Sequence, residues 1–332
     1  MSMQTRGATV EILEVYCVEL EQVITIYDAQ KAYFAQPEAK RKRFTFRCSD
    51  NDCRRERNPL VAGVNYDKLA EEGDKYRQIH FRAATANPHL DSCNWVQGEA
   101  ARKVVLDGDA GAPRVERAKK TNVIDIFRPK SVDDTIAKPI PARPAGARAP
   151  LDGAAREPQE RDRDRAREGY SSTSSLERFI NCWSQLEADE LKQSEVVIAG
   201  KTLSYRQAVS HPEWITPAEN GMRILQGGAI ARFWPESAPK RLYINFMSDC
   251  AKFPEHDGKR TLTIDLPLSR IAAYRGGALL LEKIRQAQSK DHYLRAYCWG
   301  TVKARDQRPG YILDIASLDN LVLKAIAQRK KA

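Results

Sequence analysis

The chain has 332 residues, room for two domains, and 42% of them are hydrophobic, enough for folded cores. No apolar run approaches the roughly eighteen residues that a membrane-spanning helix requires, so that class is excluded on composition. A formal charge of +10 favours a polyanionic partner such as DNA or RNA, without naming the sequence it would read.

The excess is uneven. Residues 1–103 carry 16 Lys/Arg against 15 Asp/Glu, residues 104–170 carry 14 against 12, and residues 171–332 carry 24 against 17. These three stretches also differ in composition, which predicts an α+β organisation. A small zinc-stabilised domain over 8–103 is followed by a disordered linker over 104–170. A basic mixed α/β domain with an antiparallel sheet occupies 171–332.

In the first domain, residues 10–18 and 22–27 read as β segments or one hairpin, and residues 29–34 begin a short helix. Residues 43–48 alternate polar and aromatic side chains and read as a strand. Further strands are expected over 59–65 and 76–81, and a helical turn over 88–95.

The sharpest chemistry lies on these last elements. Cys48 and Cys53 flank small polar residues that let the backbone turn around an ion, and His89 and Cys93 are spaced i, i+4, on one face of a helical turn. Three thiolates and one imidazole make a closed tetrahedral set for structural zinc. His80, on a strand, is an alternative fourth ligand or a residue orienting one. Seven cysteines, an odd number, and no apolar leader at the N-terminus point to a reducing cytoplasm rather than to disulfides. Around the first pair, Arg41, Arg43, Arg54 and Arg55 form a basic cluster that either grips phosphates or is a solvated rim.

The linker is rich in proline, alanine and alternating charge. One apolar island, residues 123–129, is either a segment that adds a strand to a protein partner or to one of its own domains, or a tether.

In the second domain, Ser174 to Glu177 reads as a helix start, with Leu176, Phe179, Trp183 and Leu186 as its apolar stripe. A strand, a glycine turn and a second strand follow over 196–203. Strands are expected over 242–247, 261–266, 292–300 and 311–315, a helix over 277–288, and a turn into a closing strand over 317–323. Period two places Tyr293, Arg295, Tyr297 and Trp299 on one face, with Lys303, Arg305 and Arg308 in the following loop. Such a stripe can stack single-stranded bases and meet phosphates, or it can fill a core.

The segment from Tyr293 to Leu323, with its strand ending in Trp299 and Gly300, its polar loop and Tyr311 to Ile315, resembles the closing strands of an oligonucleotide-binding barrel. Cys48, Cys53 and the His80–Phe81 pair resemble the zinc-binding front end of competence-protein-like (CoiA-type) nuclease families. That resemblance implies zinc and a DNA context. It departs from the family where Arg82 and Ala83 stand in place of a repeated histidine, and no nuclease domain is recognisable after it. Asp249, Asp257, Asp265 and Lys259 are close in sequence but do not make a persuasive carboxylate site. The expectation is a zinc-containing binder of nucleic acid, single-stranded DNA above all, that regulates or recruits on plasmid or phage DNA. The alternatives are a protein–protein adaptor and a metal-dependent nuclease.

Overall fold

The computed structural model describes residues 12–69, 78–83, 88–93, 123–133, 135, 172–289, 292–306 and 308–327. The chain divides into two compact units, Met1–Asn122 and Val123–Ala332. Most of the expected linker lies outside the described residues. No helix among the described residues is long and apolar enough to cross a membrane.

The first unit is a five-stranded antiparallel sheet in the order β2-β1-β3-β4-β5: β1 Glu14–Cys17, β2 Gln22–Thr25, β3 Phe46–Cys48, β4 Leu60–Val64 and β5 His80–Ala83. The first two strands form the expected hairpin. The helix Ile26–Ala35 starts where Thr25 caps it, its hydroxyl accepting from the Asp28 amide at 3.2 Å. Val15, Ile24, Phe46, Tyr66 and Phe81 fill the core between that helix and the sheet. A side chain at Gly63 would collide with the rings of Phe46 and Tyr66, so this close approach requires glycine.

The second unit is built on an eight-stranded sheet. Its path runs β15 Thr301–Ala304, β16 Tyr311–Asp314, β13 Leu262–Pro267, β12 Arg241–Phe246, β11 Ile224–Trp234, β14 His292–Trp299 and β17 Leu321–Ala327, with β10 Val209–Ser210 beside β11. The path ends at β15 and β17 and does not close, which corrects the barrel expectation. The strands after Tyr293 are present, but β14 lies between β11 and β17 while β15 and β16 sit at the opposite edge.

One face of this sheet packs Leu242, Ile244, Leu262, Ile264, Leu266, Leu294, Ala296 and Cys298 against Ile271, Leu280 and Ile284 of the helices Leu268–Ala273 and Gly277–Ala287. The other face is covered at one end by the helix Leu176–Gln185 and a small sheet in the order β7-β6-β8-β9: β6 Ile126–Phe127, β7 Ser172–Thr173, β8 Glu195–Ile198 and β9 Lys201–Ser204. Phe127, Phe179, Ile180 and Tyr205 from this layer meet Ile224, Tyr297 and Val322 of the large sheet.

The apolar island is therefore a strand of its own unit. Tyr205 donates its hydroxyl to the Ile124 carbonyl and accepts from the Ile124 amide, both at 2.7 Å. Downstream, Lys130 pairs with the buried Asp319 at 3.1 Å, and Asp133 pairs with Arg270 at 2.7 Å. With Ile124 and Phe127 buried here, the island is not free to add a strand to a separate partner. The unit boundary falls before Val123, rather than near 171, for the same reason.

Candidate metal centre

β3 delivers Cys48 into the turn that precedes the helix Asn51–Glu56. Asp50 caps that helix, its carboxylate accepting from the Cys53 amide at 2.9 Å, and this fixes Cys53 one turn away from Cys48. After β5 the chain turns again, with the Cys93 amide bonded to the Leu90 carbonyl at 2.9 Å. His89 and Cys93 thus sit on a hydrogen-bonded turn, where a helical turn was expected and no helix forms over the described residues 88–93. The Leu90 amide points at the Cys53 sulfur, 3.4 Å away.

The four donor atoms lie within 4.8 Å of one another. Cys48 Sγ is 3.6 Å from Cys93 Sγ, and His89 Nδ1 is 3.4 Å from Cys53 Sγ and 3.5 Å from Cys93 Sγ. A tetrahedral ion with metal–sulfur bonds of about 2.3 Å and a metal–nitrogen bond of about 2.0 Å has edges of roughly 3.8 Å and 3.5 Å. These three spacings lie close to those edges, and the remaining pairs lie within 4.8 Å. They far exceed a sulfur–sulfur bond of about 2.05 Å, and all seven cysteines are free.

All three cysteines are buried and the histidine half-buried. Burial pushes the Cys48 and Cys53 thiols up from their usual range and the His89 imidazole down, the latter opposed by the Asp50 carboxylate. Desolvation alone would keep these groups neutral. A bound cation reverses that for the thiols, because their ligating form is the thiolate. The residues present therefore fit a metal ion, and among the described residues no other group of three or more His, Cys, Asp or Glu does so.

The other predicted site residues are placed differently. His80 stands on β5 beside Val64, its Nδ1 2.8 Å from the Gln78 carbonyl oxygen, and is not among the clustered donors. Arg54 spans the first knuckle, donating to the carbonyls of Cys48 at 3.1 Å and Ser49 at 3.3 Å, with its guanidinium 4.0 Å from the Tyr16 ring centroid. It buttresses the ligand loop. Arg43 donates to the Gly63 carbonyl and faces Asp67, and Arg41 lies over Phe34. Of the predicted phosphate contacts in this cluster, Arg43 and Arg55 are exposed, and Arg55 pairs with its helix neighbours Asp52 and Glu56. Sequence reasoning missed the roles of Asp50 and Arg54, although an Asp three residues before Cys53 was a visible cap signal.

In the second unit, Tyr297 is buried against Val322 and Trp183, and Trp299 packs at the edge of the same core. These two are core residues, which corrects the four-residue stripe: the layer containing Leu176–Gln185 covers its C-terminal half. Tyr293 and Arg295 remain half-exposed. Lys303 pairs with Asp314, while Arg305 and Arg308 lie in the loop before β16. Asp265, considered for a nuclease site, is held by Arg241 at 2.7 Å.

Comparison with protein-family models, curated proteins and solved structures gave no match.

Proposed function

We propose that the protein is a zinc-containing nucleic-acid-binding protein, a regulator or recruiter rather than an enzyme, and that it works in the reducing cytoplasm. The observation that carries the zinc reading is the buried set of three thiols and one imidazole at tetrahedral spacings. Soft thiolate donors with one imidazole select zinc over the hard oxygen-seeking cations. Cys48, Cys53, His89 and Cys93 would supply all four ligands. That leaves no open position for a reacting water, so the ion's chemistry here is structural.

The nucleic-acid half of the reading is supported by charge. Residues 171–332 alone carry 24 Lys/Arg against 17 Asp/Glu. Seven free cysteines support the reducing compartment. An adaptor for protein partners is the second reading, favoured by the exposed Ile230, Trp234 and Met247.

Two measurements test the proposal. Elemental analysis of protein purified without added metal should give about one zinc per chain. A labelled oligonucleotide titrated with the full chain should bind, and binding should weaken steeply with salt. Metal-free protein that keeps a native first unit would defeat the zinc reading. No binding to single or double strands at low salt would defeat the nucleic-acid reading and leave the adaptor.

A further inference from the structure

Among the described residues, the face of the large sheet that carries Tyr297 is covered at one end only. Where the covering layer stops, near Gly228, the same face continues across β14, β11, β12, β13 and β16. Side chains alternate along a strand, so the residues on it follow from the register. On β11 they are Ile230, Arg232 and Trp234, each exposed. Opposite them on β12 stand Asn245, Tyr243 and Arg241. Tyr293 and Arg295 of β14 share this face, joined by a 2.6 Å hydrogen bond from the guanidinium to the phenol oxygen, with Arg295 opposite Gly228.

Trp234 is 57% exposed and Met247, whose sulfur would be 3.1 Å from a Cβ placed on Gly228, is 68% exposed. This is a broad aromatic surface with cations set between the rings. Its two carboxylates are already engaged: Asp265 by Arg241 and Asp314 by Lys303. Arg232 has no ion-pair partner among the described residues. The face therefore presents the charge of Arg232 beside the exposed ring of Trp234 and the half-exposed rings of Tyr243 and Tyr293.

On this basis, and resting on the nucleic-acid reading above, we propose that the open half of this sheet face binds single-stranded nucleic acid. Trp234, Tyr243 and Tyr293 stack bases, and Arg232 and Arg295 meet phosphates. Strand geometry sets the ring positions. Two residues along a strand are about 6.7 Å and neighbouring strands about 4.8 Å apart. Tyr243 then stands roughly 8 Å from Trp234, and Tyr293, two strands away from Tyr243, roughly 12 Å from it. Separate bases of one extended strand can reach platforms so spaced, whereas a duplex hides its base faces. A second copy of this chain fits less well, because a two-fold contact sets this basic face against another face of the same charge.

The test uses the full chain and labelled oligothymidylate, with oligouridylate and a duplex of equal length alongside. Trp234→Ala and Tyr243→Ala should each weaken single-strand binding at least about fivefold. Arg232→Gln should flatten the salt dependence by a slope of about 0.7. Trp214→Ala, an exposed tryptophan away from this face, should change neither. Melting curves and metal content confirm that each variant is folded. If the chain binds oligonucleotides but all three variants bind as the parent does, the face is wrong while the broader reading stands. If no nucleic acid binds the parent, both fail. Equal preference for the duplex also overturns the proposal. So does a dimer, seen by sedimentation, that Trp234→Ala dissolves while nucleic-acid binding persists.

Discussion

Removing the metal should melt the first unit and spare the second. The ligands join segments separated by 36 residues, Cys53 to His89, and by 45 residues, Cys48 to Cys93. Treated as a cross-link closing a loop of about 40 residues, the ion restricts the unfolded chain by about 4 kcal/mol. For a unit of this size each kcal/mol moves the melting midpoint by about 4–8 °C, so the first transition should fall by roughly 15–30 °C. Every hydrophobic cluster among the described residues lies within one unit, so the second transition should not move. Scanning calorimetry of the full chain with and without a strong chelator measures both. The double variant Cys53→Ser with Cys93→Ser should reproduce the chelated trace and no longer respond to chelator. If a chain shown to hold one ion gives the same first transition after the ion is stripped, the cross-link reasoning is refuted. A single transition that shifts as a whole would refute the independence of the two cores.

Other expectations follow from single contacts. Tyr205→Phe leaves the buried Ile124 amide and carbonyl without their 2.7 Å partner and should cost about 1–3 kcal/mol in urea denaturation of the second unit. Gly277→Ala places a Cβ 1.9 Å from the Ile271 carbonyl oxygen, so the turn between two helices must shift. It should lower stability by about 3 kcal/mol or prevent soluble expression, read from yield and the same denaturation curve. Burial raises the Cys17 thiol to about 11 and the Cys250 thiol to about 12, from an ordinary value of 9.0. A raised folded-state value means stability that is fully present below pH 9 and lost as pH rises towards those values. Both melting transitions should therefore fall between pH 9 and about 11, one thiol lying in each unit, and constant midpoints across that range would contradict it.

The clustering of Cys48, Cys53, His89 and Cys93 was legible because the chemistry of a candidate metal site resides in residue identity. No other side chain replaces a thiolate, and polar neighbours around Cys48 and Cys53 mark them as unlike packing cysteines. The strands β12, β13 and β14 were legible because β-branched and aromatic residues are dense in them, although burial alternates strictly along β12 alone and only in part along β13 and β14. β11, the longest strand among the described residues, was missed. Gly227 and Gly228 interrupt its apolar pattern, yet a Cβ at 227 would lie 2.9 Å from the Phe246 ring, so glycine there permits the pairing rather than ending it. Sheet closure was misjudged because it depends on which strands neighbour one another, and β13 pairs with β16 across a long stretch of chain.

The aromatic stripe shows where a sequence argument stops. Period two correctly groups Tyr293, Arg295, Tyr297 and Trp299 on one face, but periodicity cannot say what lies over that face. The cover comes from elsewhere: the strand at Ile126–Phe127 and the helix Leu176–Gln185, the former tied down by Tyr205, 81 residues from Ile124. That layer takes Tyr297 into the core and ends before Arg295. The surface proposed above for single-stranded nucleic acid thus runs across several strands rather than along one. Its rings are contributed by β11, β12 and β14, which no short window of sequence contains. Variants at Trp299 and variants at Trp234 should accordingly behave in opposite ways. The first should lower the stability of the second unit through lost packing, and the second should leave stability unchanged and weaken binding. Denaturation and titration curves measured on both proteins separate the two, and equal behaviour would contradict the division of the face at Gly228.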